Sequence, residues 1–203
     1  MSWNALASNE VITQTIENLK KNGIQATVVE NGAEAKDFVT KMIPEGAEVM
    51  TMTSVTLDTI GLAGELNESG KYDSVKAKLM KMDRKTQSRE MQKMGAAPEW
   101  AIGSVHAVTS EGEVVVASNT GSQLPAYAYG ADHVIWVVGI QKIVKNREEA
   151  MKRLYEYVLP LESERARKAY GTEGSNVSKM MIFNREVNPA RIQVVLVKES
   201  LGF

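Results

Sequence analysis

A chain of 203 residues with 43% hydrophobic and 24% charged content has the composition of an ordinary soluble globular protein, long enough for one well-buried core. A formal net charge of −1 gives no general attraction to a phosphate backbone, so nucleic acid is not an expected partner. The lack of cysteine removes disulfides, thiolate nucleophiles, iron–sulfur clusters and Cys-type zinc sites, and the lack of a signal-like opening or an apolar run of bilayer length leads to the expectation of a cytoplasmic protein with no membrane partner.

Ser8 to Asn22 places Val11, Ile12, Thr15, Ile16 and Leu19 at helical spacing, with Asn22-Gly23 as a stop. Ile24 to Glu30 reads as a strand, Ala33 to Met42 as a helix ended before Pro44, and Ala47 to Thr53 as a second strand. This alternation predicts a parallel sheet with helical crossovers. The bend Thr53 to Asp58 gathers hydroxyls and free amides at a helix start, where Ser54 can cap the helix, help dock an anion, or do both.

From Asn67 to Met94 the chain turns polar and helical, a peripheral excursion whose lysines and arginines fall on no single face. Met80, Met82, Met91 and Met94 are expected chiefly as core filling, the alternative being a soft apolar surface for a partner. Gly103 to Asn146 is the most informative stretch: two apolar strands joined by a Glu-Gly turn, a Gly-Ser-Gln loop, a short helix over Leu124 to Tyr129, and a third apolar strand running into Lys142. Val- and Ile-rich strands that stop at Gly, Ser, Thr and Asn are what a buried sheet looks like where its carboxyl ends open onto a crevice. Arg147 to Leu159 predicts a helix interrupted at Pro160, a second short helix ends at Gly171, and Lys179 to Phe183 and Arg191 to Lys198 read as closing strands.

The residues able to carry chemistry are few. His106 and His133 share no metal-type spacing, and His106 reads as a hydrogen-bonded structural imidazole or a ligand-facing one. Glu111 sits in Glu111-Gly112-Glu113, where a hairpin turn explains the glycine; at the mouth of a crevice the same carboxylate could act as base or nucleophile. Thr120, Gly121, Ser122 and Gln123 form a donor-rich nest suited to phosphate or carboxylate, and with Ser54 and Thr56 they would make two donor loops at one sheet edge. Lys142, at the end of the third strand, is either an exposed lysine or an ammonium completing anion capture.

The pattern HAVTSEGEVVVASNTGSQLPAYAYGADHVIWVVGIQKIV, with IPEGAEVMTMTSVTLDTIGL, YVLPLESERARKAYG and NREVNPARIQVVLVKESLGF, resembles the LUD-domain family of lactate utilization proteins over nearly the whole chain. The resemblance is most specific in the turn Thr109 to Gly112, the Thr-Gly-Ser-Gln loop and the run Gly139 to Val144. It implies one domain over 1–203 with a three-layer α/β fold around a largely parallel sheet, shared with ribose-5-phosphate isomerase, glucosamine-6-phosphate deaminase and the coenzyme A transferases. In that wider fold the loop after an early strand binds phosphate, which maps onto Ser54, Val55 and Thr56. Some coenzyme A transferases carry a catalytic glutamate in a Ser-Glu-Asn-Gly turn, of which Ser110-Glu111-Gly112 resembles a shortened relative without the Asn. Lactate utilization involves iron–sulfur oxidoreductases, and a cysteine-free chain resembles the cluster-free component or a standalone relative.

The expectation is therefore a protein of lactate or related organic-acid utilization that binds a small anionic metabolite between the Ser54, Gly121 and Lys142 loops, with Glu111 as base or nucleophile if there is turnover. The rival is a non-enzymatic accessory or metabolite-sensing module for an iron–sulfur oxidoreductase partner. Homo-oligomerisation stays open, and the sequence specifies no cofactor.

Overall fold

The computed structural model describes residues 3–203. Helix α1 (Asn9–Lys21) starts where the Ser8 hydroxyl accepts a hydrogen bond from the Val11 amide at 3.3 Å, and it buries Ile12, Thr15 and Leu19. Strand β1 (Gln25–Val29), helix α2 (Gly32–Met42) and strand β2 (Glu48–Thr51) follow. Helix α2 stops at Met42, two residues before Pro44, with Ile43 extended at φ −91° and ψ 120°, as the steric restriction on the residue before proline requires. Next come α3 (Val55–Thr59), α4 (Leu62–Glu68), the two-residue β3 (Asp73–Ser74), α5 (Val75–Met80), α6 (Ser88–Ala96) and β4 (Trp100–Gly103).

The second half opens with β5 (Ala107–Thr109) and β6 (Val114–Ser118), then a π-helical turn at Ala126–Gly130 where the sequence predicts a short helix. Strand β7 (His133–Gly139) leads through a 3-10 turn, Ile140–Lys142, into β8 (Ile143–Val144). Helix α7 (Arg147–Arg153), a π-turn at Leu154–Val158 and α8 (Leu159–Tyr170) run on as one helical segment, followed by β9 (Lys179–Phe183) and β10 (Ile192–Val197). The predicted interruption at Pro160 does not occur. The π-turn ends at Val158, two residues before it, with the Leu159 amide bonded five residues back to Leu154, and this wider turn eases the missing N–H and the ring's clash with the preceding turn.

Six strands form a parallel sheet in the order β1-β10-β7-β4-β2-β3. Its central strands β7 and β10 are almost wholly buried, which is why they read as continuous Val/Ile runs rather than as alternation. One face packs on α2, α3 and α4 through Ala35, Val39, Leu57, Leu62 and Leu66. The other packs on α1 and on a second sheet, ordered β8-β5-β6-β9, through Ile12, Leu19, Val114, Val116 and Trp136. The outer face of this second sheet is covered by Ala150, Leu154 and Val158 of the α7–α8 segment. The architecture is the expected α/β layering around a parallel sheet, with one change: β5, β6 and β9 do not extend the main sheet but build the smaller one.

Helices α5 and α6 form the expected excursion, but their methionines are not core. Met80 is 81% exposed, and Met82, Met91 and Met94 are only half-buried, because two short helices joined by the polar turn Asp83–Gln87 leave most of their surface uncovered. Among the described residues no helix is long and apolar enough to cross a membrane.

Candidate functional site

Strands β7, β4 and β2 are neighbours in the main sheet and run the same way, so the loops leaving their carboxyl ends open on one edge. Thr53 and Ser54 leave β2, Ser104 and Val105 leave β4, and Lys142 closes the turn after β7. Facing them are the end of β6 with its loop, Ser118 to Gln123, and the wall of α8 with Glu162, Arg165 and Tyr170. These surfaces enclose a cleft of about 700 Å³.

Of the residues selected from the sequence, Ser54, Thr56, Thr120, Ser122, Gln123 and Lys142 all line this cleft. Ser54 accepts from the Leu57 amide at 3.4 Å and so caps α3 while bordering the cavity. Gly121 is not part of the lining: its φ is +86°, and a Cβ there would lie 2.5 Å from the Lys179 side chain, so the glycine serves the turn and the close approach to β9. The loop is internally tied, the Gly121 amide donating to Ser118 Oγ at 2.9 Å and Gln123 Nε2 to the Ala117 carbonyl at 3.3 Å.

Glu111 is not brought to the cleft. It is exposed in the β5–β6 turn, its carbonyl accepting from Asn22 Nδ2 of the α1 terminus at 3.3 Å. Gly112 has φ +86° and a Cβ there would meet the Asn18 backbone at 2.6 Å, so turn geometry and the approach to α1 account for the glycine. The neighbouring Glu113 is paired with Arg147.

Lys142 is the residue around which the floor is built. Only 2% exposed, its ammonium donates to Thr56 Oγ1 at 3.0 Å and to Ser104 Oγ at 3.1 Å. The Thr56 hydroxyl spends its own proton on the Leu201 carbonyl at 3.2 Å, which turns an oxygen lone pair toward the lysine. Among the described residues no carboxylate lies within ion-pair distance of Lys142. Burial pulls its pKa down from 10.5 to about 7, and the charge of Arg153 adds to the effect.

Around it stand groups of the same sign or none. His106 lines the cleft, and its Nδ1 accepts the Ala117 amide at 3.0 Å, which leaves the ring proton on Nε2. Burial, reinforced by Lys142 and Arg153, lowers its pKa to about 3, so the imidazole is neutral at ordinary pH. His106 is the hydrogen-bonded imidazole expected, and it also borders the cavity. Arg153, wholly buried behind it, donates to the His106 carbonyl at 2.6 Å while its Nε and second terminal nitrogen have no partner among the described residues. Its pKa falls to about 10 through burial. The Tyr127 hydroxyl is also buried, with no acceptor for its proton among the described residues, and burial pushes its pKa up, which fixes it as a neutral group. By contrast Glu162 and Arg165 neutralise each other through two bonds of 2.7 Å.

The sequence reading does not select Ser104, Tyr127 or Arg153. Arg153 does carry a signal, lying three residues after Ala150 and directly before Leu154 and so beside the buried stripe of α7, where an arginine without an acidic partner is unexpected. His133 is elsewhere, at the amino end of β7, stacked on Trp100 with ring centroids 4.1 Å apart.

The model of the LUD domain matches residues 12–197. The chain is also similar in fold to the crystal structure of a DUF162 family protein from Deinococcus radiodurans, with a TM-score of 0.59 and 15% sequence identity over 95% of this chain and 99% of that one. No curated protein matches the chain.

Proposed function

Because the chain belongs to the LUD-domain family, we propose that it serves lactate or related organic-acid metabolism by binding a small anionic metabolite in the cleft at the carboxyl edge of its main sheet. The observation that carries this reading is Lys142. A buried ammonium held by two neutral hydroxyls, with Arg153 behind it and no carboxylate to compensate, is an arrangement that an anionic ligand would stabilise. The loop Thr120 to Gln123 supplies further hydroxyl and amide donors on the facing wall.

Thermal-shift titration tests the reading. Lactate, pyruvate, inorganic phosphate, sugar phosphates and coenzyme A esters are the probes, and a ligand at about a hundredfold its dissociation constant adds about 2.7 kcal/mol of stability. At least one of these anions is expected to raise the melting temperature of the native protein and not of Lys142→Met. A native protein indifferent to all of them, or a variant that responds equally, removes the proposal.

One observation favours a second role. The exposed Met80 with its half-buried companions Met82, Met91 and Met94 offers an adaptable apolar surface through which the protein would act as an accessory or sensing module for an iron–sulfur oxidoreductase. Co-purification at native levels, with and without lactate, checks this: a stoichiometric partner lost on replacing the methionines by glutamine supports it, and an unpartnered protein does not.

A further inference from the structure

We propose that Lys142 is a nucleophile toward carbonyl carbon, so that the cleft takes small anions bearing a ketone or aldehyde, 2-oxo acids being the simplest class, and holds them as an imine on Nζ. The inference deepens the anion-binding reading above and rests on it. A lysine that only clamps an anion works best with its proton held by a carboxylate across the whole neutral range, whereas an imine-forming lysine needs a place on a cavity, a deprotonated fraction, and no carboxylate to hold its proton. Lys142 has all three. It lines the cleft, its pKa lies about 7, and its two partners are hydroxyls.

Those hydroxyls are not equivalent. Thr56 Oγ1 is committed as a donor to the Leu201 carbonyl, so toward Nζ it can only accept and it fixes the direction of the side chain. Ser104 Oγ has Lys142 as its one hydrogen-bond partner among the described residues, so it is free to rotate and receive or return a proton as the amine changes state. A third group completes the set. Tyr127 lines the same cleft; its neutral, buried hydroxyl has no acceptor for its proton among the described residues and lies so close to Gly103, the residue before Ser104, that a Cβ there would be 1.8 Å from it. It is a donor in want of an acceptor, as a carbonyl or carbinolamine oxygen would be.

The neutral amine attacks the carbonyl carbon, the C=O electron pair moves to oxygen, and a proton passes from nitrogen to that oxygen to give a carbinolamine. A second proton transfer then expels the hydroxyl as water and leaves a C=N bond on Nζ. Burial and the charge of Arg153 favour the unprotonated amine before attack, and the same arginine favours an anionic carboxylate on the substrate.

Borohydride trapping decides the matter on the full native chain. Pyruvate or glyoxylate plus borohydride is expected to give a stable secondary amine, mapped by peptide mass spectrometry to Lys142 as the dominant adduct. It should be absent with lactate, which has no ketone or aldehyde carbonyl, suppressed by excess lactate, and missing in Lys142→Arg, which keeps the charge and the donors. If pyruvate produces a Lys142-dependent thermal shift yet no adduct forms at Lys142, or adducts fall only on exposed lysines, the imine is excluded while the anion site stands. If neither oxo acid shifts the melting temperature nor labels Lys142, both this inference and the choice of organic acid fall.

Discussion

The main sheet has a buried cation at each edge, and the protein treats them in opposite ways. Arg191, 9% exposed at the entry to β10, is saturated: it pairs with Glu186 at 2.7 Å and donates to the carbonyls of Ala126, Tyr127 and Ala131 at 3.2, 2.7 and 3.0 Å. Lys142, at the carboxyl edge, is more deeply buried and has two hydroxyls and no counter-charge. Charge and hydrogen bonds both close at the amino edge, where the arginine ties the π-turn of Ala126–Gly130 to the sheet. At the carboxyl edge they stay open. A buried charge left uncompensated by its own chain is costly, and its presence in a cleft is better explained by a ligand than by stability.

The sharpest way to break this contrast is to delete both cations. Arg191→Met leaves Glu186, itself only 11% exposed in its side chain, without its ion-pair partner and takes a donor from the carbonyls of Ala126, Tyr127 and Ala131, and is expected to cost about 3–5 kcal/mol in urea unfolding. Lys142→Met removes a desolvated charge and fills its stem volume, so at pH 6 it should be neutral or more stable by about 1–4 kcal/mol while anion affinity falls by about 2–5 kcal/mol. Equal destabilisation by the two variants would mean that Lys142 is as structural as Arg191.

The pH dependence sharpens the same comparison at smaller amplitude. Lys142 has a folded pKa of about 7 against an ordinary 10.5, so the unfolded chain holds a proton that the folded chain lacks between those values. Its penalty is fully present below pH 7 and is relieved as pH rises toward 10.5, so this group makes stability climb with pH across that window. His106, at about 3 against 6.5, acts in the same direction at lower pH, its contribution being lost as pH falls from 6.5 toward 3. Lys142→Met should abolish the alkaline climb and leave the acid limb. Calorimetric affinity for a simple anion such as lactate should be level below pH 7 and fall by up to about tenfold per unit above it, with proton uptake on binding; a flat profile in the native protein would separate Lys142 from the ligand.

Much of this was readable from residues, and the failures have physical causes. Strands β7 and β10 announce themselves as uninterrupted apolar runs, and helices α1 and α2 as periodic stripes ended by Asn22-Gly23 and Pro44. Nothing local distinguishes β5, β6 and β9 from main-sheet strands, because an apolar run shows that a strand is buried without showing which sheet buries it. The cleft loops were legible because polar and hydroxyl residues at strand ends mark a crevice. Lys142 was ambiguous, since exposure of a lysine depends on what covers it, here Thr56 and the segment at Leu201–Gly202. Arg153 was missed because an arginine in a helix rich in charge reads as solvated until the stripe beside Ala150 and Leu154 is seen to face the second sheet.

Glu111 offers the smallest effect and the cleanest check on how the second sheet directs residues. Ser118 reaches the cleft at one end of β6 while the Glu111 turn lies beyond the other end, a strand length of roughly 17 Å away for five residues. Glu111 is exposed and outside the lining of the cleft that holds Lys142. Glu111→Gln is therefore expected to change stability by less than about 0.5 kcal/mol and to leave both lactate affinity and its pH profile unmoved. A loss of affinity in this variant would require the β5–β6 turn to fold over the cleft edge, and with it a different relation between the two sheets.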